Sequence, residues 1–349
     1  MTIATLGGAA MKAVTIGIDI GKSSFHVHGV DDNGKTVVSR SLKRTQVKPF
    51  FSRQTSSLVG MESCSTSNYW AREIKALGHD VKLIPAAYVK PFVKRDKSDR
   101  KDAEAICEAV RRPNLLFVPI KSEEQQSVLA LHRTRNLLAN QSVMLRNSMR
   151  SWLAEFGIIA PMGKLQFVKM IAQTLRFAPL PKYANRAIMI LVGVWKKVEA
   201  DIKTIEKDLM AWHRKNATSK RLTTIPGVGY LTATAVVSVV GDFRRFKTAQ
   251  QFASWLGLVP RQISSGGRII LGKISKKGDV YLRRLLYLCA FAVMTWARKR
   301  SDPLSAWAMQ LSERKKKKLV CMAIANKLAR IIWVISVRKE AYREATAVI

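Results

Sequence analysis

The 349-residue chain carries 60 Lys and Arg against 24 Asp and Glu, a formal net charge of +36, with 48% hydrophobic residues. That length supports two or three domains with cores of their own, and so cationic a body repels itself unless a polyanion neutralises it, which makes nucleic acid the expected partner. No apolar run of eighteen residues and no signal-peptide pattern is present, and Cys64, Cys107, Cys289 and Cys321 are too scattered for a zinc ribbon or a disulfide framework.

The reading is therefore of a soluble, cytoplasmic protein. The first residues, up to a second Met at Met11, read as a disordered extension or a product of start-site choice. Val14 to Ile20 is a β-branched run that ends in Asp19-Ile20-Gly21-Lys22, Ser24 to Val30 is a second strand, and Asp31-Asp32-Asn33-Gly34 turns the chain into a third at Thr36 to Ser41. A helix is expected near Val47 to Arg53, a buried strand at Leu58 to Met61 ending in Glu62, a helix from Thr66 to Gly78, and a strand at Val81 to Ile84. Strands alternating with helices predict a partly parallel sheet whose carboxyl edge holds a site.

Acids are scarce, so four positions stand out. Asp19 and Glu62 end strands, and if Ser98 caps a helix, Asp99 and Asp102 fall three apart on one of its faces. Carboxylates gathered in this way repel one another unless a hard cation sits between them, which makes the four a candidate site for one or two Mg²⁺ ions and for metal-assisted phosphate chemistry. Each also has a plainer reading, as a strand end or as a solvated acid favoured by a helix dipole. Glu73 and Glu104 read as surface helix charges.

Glu123 to Phe156 lacks Pro and Gly, with Leu131, Leu138, Leu145 and Trp152 every seven residues. A second seam interleaves Leu191, Val198, Ile205 and Trp212 with Trp195, Ile202 and Leu209. Together they predict an antiparallel helical pair that also dimerises. Gly157 to Pro181, with Pro161 and Pro179, reads as an irregular connection. Further on, Ile225-Pro226-Gly227-Val228-Gly229 between two helical stretches resembles a helix-hairpin-helix turn, in which backbone N–H groups hold a phosphate. Ser264-Ser265-Gly266-Gly267 then forms a loop among the cations Arg261, Arg268, Lys273, Lys276, Lys277, Arg283 and Arg284, and basic helices follow from about Asp279 and from Lys315 to Lys318. Those cations, with Gly227 and Gly229, are the candidate nucleic-acid contacts. The alternative is a flexible hairpin turn beside a solvated charge run.

In order, Gly17-Ile18-Asp19, Met61-Glu62, Ser98-Asp99-Arg100-Lys101-Asp102-Ala103, the helical spacer, the Pro-Gly-Val-Gly turn, and Gly257-Leu258-Val259-Pro260-Arg261 through Ser264-Ser265-Gly266 to Ser275-Lys276-Lys277-Gly278-Asp279 resemble a known family. It is that of the bridge-RNA-guided insertion-sequence transposases or recombinases, related to the Piv-type invertases. The resemblance covers nearly the whole chain from Met11. It implies an α/β RNase H-like (RuvC-like) N-terminal domain with a DEDD set of metal-binding acids at Asp19, Glu62, Asp99 and Asp102, a helical coiled-coil spacer, and a mainly α C-terminal domain with a helix-hairpin-helix-like motif. It also implies that Ser265, with Ser264 its neighbour, is the catalytic nucleophile that forms a phosphoserine link to DNA. A non-coding guide RNA that pairs with donor and target DNA is implied too.

The corresponding division is an extension at 1–12, the acidic domain at 13–118, the spacer at 119–217, the serine domain at 218–340 and a tail at 341–349. One departure is visible, since Ser63-Cys64-Ser65 stands where the family often has glycine after the strand glutamate. With no histidine beside Ser265, activation falls to the metal and the acids, which asks for a composite site in a homo-oligomer, a dimer or tetramer. Three other readings remain: a metal-dependent junction-resolving nuclease without a covalent serine, an actin-like sugar kinase suggested by Asp19-Ile20-Gly21-Lys22-Ser23, and a non-catalytic RNA-binding protein.

Overall fold

A computed structural model describes residues 13–93, 98–160, 163–177, 180–264 and 266–343, arranged in two compact units that adjoin in sequence at Glu123 and Glu124. The N-terminal extension, Pro161, Pro179, Ser265 and the last six residues lie outside the described residues.

In the first unit β1 (Thr15–Ile20), β2 (Ser24–Val30) and β3 (Thr36–Lys43) form an antiparallel meander. After α1 (Val47–Ser52) come β4 (Leu58–Glu62), α2 (Ser67–Ala76), β5 (Asp80–Ile84), α3 (Ala86–Val89) and α4 (Asp99–Val110). The sheet order is β3-β2-β1-β4-β5, with β4 parallel to both β1 and β5, the mixed sheet that the alternation predicts. Alternation along the strands sorts its two faces. Ile16, Ile18, Phe25, Val27, Val59 and Met61 are buried with Trp70, Ala71 and Ile74 of α2 in one core.

On the other face lie Gly17 and Gly60, register partners in neighbouring parallel strands. A Cβ on Gly17 would stand 2.2 Å from the Ala103 carbonyl oxygen, and one on Gly60 2.7 Å from Val110 Cβ. This side-by-side pair of glycines lets α4 lie directly on the sheet, with its N-terminus toward the carboxyl ends of β1 and β4.

In the second unit α5 (Glu123–Ala154) and α7 (Lys182–Lys215) run antiparallel. Val128 shares a buried cluster with Ile205 and Leu209, while Met149 and Leu153 share one with Ile188, Val192 and Trp195. Polar pins fix the register: Arg135 Nε donates to Glu206 (2.8 Å), Ser142 Oγ donates to Glu199 (2.6 Å), and Trp195 Nε1 donates to Ser142 Oγ (3.1 Å).

Two expectations need correction here. The segment between these helices is not irregular throughout, because α6 (Lys164–Phe177) forms within it and buries Phe167, Met170 and Ile171 against the pair. The flanking prolines bound that helix without entering it. Trp152, placed in the seam by its spacing, is 46% exposed, and Met149 and Leu153 take the buried positions instead.

The chain continues through α8 (Ala217–Leu222), α9 (Tyr230–Val240), α10 (Ala249–Trp255), a hairpin of β6 (Pro260–Gln262) and β7 (Leu271–Ile274), α11 (Val280–Trp296), α12 (Pro303–Arg314) and α13 (Lys317–Arg338). Asp279 caps α11 by accepting from the Leu282 N–H at 2.9 Å. The α11 segment and α13 are long and apolar enough to cross a membrane, yet one side of each, with Leu286 and Ala290 on α11 and Ile324 and Leu328 on α13, is buried in the core of this unit.

Candidate active site

The acidic corner of the first unit follows from local rules. The Ser98 hydroxyl accepts from the Lys101 N–H and caps α4, which places Asp99 and Asp102 in its first turn. Asp19 follows Gly17 on the α4 face of β1, and Glu62 follows Gly60 on the same face of β4. Close seating of α4 brings the pieces together: carboxylate oxygens of Asp19, Asp99 and Asp102 all lie within 4.8 Å of one another. Acids in a first helical turn are ordinary, because the dipole favours them. A strand aspartate delivered into the same spot is not.

The electrostatics register the crowding. The Asp19 carboxyl is held above its usual range, first by burial and then by the charges of Asp102, Asp99 and Glu62. Glu62 is near enough for its charge to be felt at Asp19, but it is not among the three carboxylates that meet. Carboxylate oxygens crowded in this way suit a hard divalent cation, which takes carboxylate and water oxygens and removes the repulsion. The residues present therefore fit such an ion.

His26 joins them from outside the expected set. It pairs in register with Asp19 across β1 and β2, its Nδ1 is 3.8 Å from an Asp99 oxygen, and its charge would oppose the rise in the Asp19 pKa. The signal in sequence was the alternation Phe25, His26, Val27, His28, which puts both histidines on the Asp19 face once the hairpin register is known.

In the second unit the Ser-Ser-Gly-Gly loop is the tip of the β6–β7 hairpin. Ile263 N donates to Ile270 O at 2.9 Å just below the tip, Ser264 is exposed, and Gly266 and Gly267 have φ of 55° and 77° with open space around them. Ser265, the expected nucleophile, lies outside the described residues.

The hairpin base is held backbone to backbone. A Cβ on Gly257 would stand 2.7 Å from Lys277 N, one on Gly278 would stand 2.1 Å from Trp255 O, and Lys276 N donates to Gly257 O. Arg261, Arg268, Lys273, Lys276, Lys277 and Arg284 are exposed around this element. Arg283 is half-buried and spends its Nη1 on the carbonyls of Leu256 (3.1 Å) and Gly278 (2.7 Å), bracing the same base. The Pro-Gly-Val-Gly turn joins α8 to α9. A side chain on Gly227 would meet Val293 and the Cys289 carbonyl of α11, while Gly229 is exposed at the α9 N-cap with open space beside it.

Comparison with known proteins accounts for both regions. A family model described as Transposase, of the DEDD class of IS110 elements, matches residues 16–158. Another, described as Transposase IS116/IS110/IS902 family, matches residues 219–304. The chain is 44% identical to a probable family 20 transposase of Pseudomonas aeruginosa, over 95% of this chain and 99% of the relative. It is 40% identical to the transposase for insertion sequence element IS1328 of Yersinia enterocolitica (92% and 96% covered). A third relative, the transposase for insertion sequence element IS1111A of Coxiella burnetii, is 37% identical (96% and 93% covered).

Proposed function

The chain belongs to the IS116/IS110/IS902 family of insertion-sequence transposases, DNA-cleaving and strand-transferring enzymes, and from that premise we propose which of its residues do the chemistry. Its DEDD unit has the RNase H-like fold and points to divalent-metal dependence. In the proposed assignment Asp19, Glu62, Asp99 and Asp102 hold Mg²⁺, and Ser265 is the nucleophile. When bound, the metal would lower the pKa of the attacking hydroxyl and stabilise charge on the departing oxygen. A bond forms between Ser265 Oγ and phosphorus as the bridging P–O bond breaks, with the serine proton ending on the departing oxygen. Attack on the phosphoserine by a hydroxyl of another strand reverses the step, so rejoining needs no ATP.

The observation that carries this reading is the convergence of Asp19, Asp99 and Asp102 within 4.8 Å in a chain of net charge +36, where no other such group of three forms among the described residues. The exposed, glycine-flanked hairpin tip supports the serine assignment, because a nucleophile for duplex DNA has to project. It also requires that tip and acids meet in an assembled oligomer with DNA. A homo-oligomer is supported by the outward faces of α5 and α7, which expose Leu137, Met144, Ile190 and Val194.

The Pro-Gly-Val-Gly turn is proposed to hold a DNA phosphate at Gly229, as in a helix-hairpin-helix. Sequence choice is proposed to lie in a guide RNA, which sequencing of co-purified RNA would identify. The decisive experiment is Ser265→Ala. The unmutated protein should give a denaturation-resistant adduct with DNA and the variant none. Cleavage by the variant at the unmutated rate would leave a water-using nuclease and sink the covalent step.

A further inference from the structure

At the foot of the β6–β7 hairpin, between β7 and the helices α12 and α13, lies a cavity of about 500 Å³. Its walls are apolar where Leu258, Met322 and Ala323 contribute, and cationic where Lys273, Lys327 and Arg330 do; Trp307 completes it, and no acid is among the lining residues. Lys327 Nζ sits 4.9 Å from the Trp307 ring centroid. Two features point to unmet positive charge here. Arg330 Nε is buried with no hydrogen-bond partner among the described residues. Burial and the neighbouring Arg330 charge push the Lys327 ammonium below its usual range.

An anion would relieve both. An inorganic anion would leave the apolar wall unused, whereas a nucleotide uses all of it, with a flat apolar ring system joined to a phosphate. The cavity is too small for stacked duplex, so the nucleotide must be out of its stack. DNA is the macromolecule this enzyme acts on, and the wall formed by β7 continues into the hairpin tip. From Gly272 to Gly267 is five residues, at most roughly 17 Å of strand. A DNA strand reaching the tip therefore comes within about that distance of the cavity.

We propose that this cavity receives one unstacked nucleotide of a DNA strand, with its base against Trp307 and the apolar wall and its phosphate between Lys327 and Arg330. The inference rests on the proposed reading of the hairpin tip only for which strand passes. The nucleotide so held would keep the strand from sliding while the bond near the tip is broken.

The test uses full-length Ser265→Ala protein, so that DNA is bound and not cut, and the result is independent of whether the phosphoserine forms. A short single-stranded oligodeoxythymidylate carrying 5-iododeoxyuridine is the probe. On irradiation it should crosslink to Trp307, located by mass spectrometry. Ala323→Phe, which fills the cavity from α13, should abolish that crosslink and weaken binding about tenfold. Lys327→Met should weaken binding similarly and reduce the salt slope by about 0.7, one phosphate on a single strand. Circular dichroism melting checks that both variants are folded. Crosslinks that fall only elsewhere, with both variants binding within about twofold of the parent, would overturn the proposal. Capture at Trp307 by an oligouridylate probe but not by the DNA probe would overturn it in favour of RNA.

Discussion

Gly17 has no side chain because α4 occupies the space: a methyl there would stand 2.2 Å from the Ala103 carbonyl and 2.3 Å from Cys107 N, both backbone atoms that cannot turn aside. Gly17→Ala should therefore cost several kcal/mol, on the order of 3 by analogy with overpacked cores, and should also scatter Asp99 and Asp102, since α4 carries both. Urea unfolding and divalent-metal binding report the two effects, and a variant of normal stability would show that α4 does not seat on this glycine. Asp102→Asn tests the chemistry separately: cleavage should fall at least a hundredfold while DNA binding stays within about twofold, and a variant that still recombines would remove Asp102 from the machinery. The raised Asp19 pKa carries a sign. The metal-free folded state holds this proton more tightly than the unfolded chain, so this group's contribution to stability falls as pH rises from the ordinary carboxylate value, 3.8, through the raised one. A bound cation needs the carboxylate, so Mn²⁺ affinity by calorimetry should rise over that same window, and an affinity flat across it would contradict the shift.

His132 fastens one element to two others. The Thr234 hydroxyl donates to Tyr230 O at 2.8 Å, so its oxygen accepts from His132 Nε2 (3.0 Å), which leaves Nδ1 to accept from the Tyr281 hydroxyl (3.0 Å). This neutral imidazole ties α5 to α9 and α11, and burial pushes its pKa down from 6.5 to about 4. Between those values the unfolded chain takes up a proton that the folded one refuses, so stability is fully present above pH 6.5 and is lost as pH falls toward 4. The loss is on the order of 3 kcal/mol. His132→Gln should flatten that slope in urea unfolding followed at several pH values, and an unchanged slope would assign it to another group. None of this was legible in the sequence, where His132 is one polar residue in a long helix and its partners lie 102 and 149 residues away. What was legible rests on local periodicity: β1, β4 and the Ser98 cap follow from alternation and capping, and with them the three acids that converge, Asp19, Asp99 and Asp102. His26 escaped because hairpin register depends on a turn that the sequence leaves ambiguous, and α6 because the prolines around it masked the apolar spacing of Phe167, Met170 and Ile171. The bracing role of Arg283 depends on carbonyls supplied by tertiary contact, which no spacing reveals.

At the scale of the whole chain the +36 charge and the apolar outer faces of α5 and α7 are two halves of one requirement. In the proposed homo-oligomer, so cationic a protein would resist self-association until nucleic acid neutralises it, and Leu137, Met144, Ile190 and Val194, each at least 47% exposed, would give the neutralised copies something to pack. The association should accordingly depend on DNA and salt, with binding losing about 0.9 log units per log unit of salt for every duplex phosphate contacted. Replacing Met144 and Ile190 together by Lys should leave the monomer folded, because both side chains already face water, while dropping the DNA-bound sedimentation coefficient to that of a single copy. If serine and acids come from different copies, that variant loses adduct formation and keeps binding of the DNA duplex. If one copy holds a whole site, adducts form at the normal rate on the monomer. Mixing Ser265→Ala with Asp102→Asn separates the cases further. Each is inactive alone, and recovery of activity to about a quarter in an equimolar mixture is the value expected when random pairing forms one intact acid–serine combination in every four. A mixture as inactive as its parts would confine each site to one chain and leave the outer faces of α5 and α7 without a catalytic purpose.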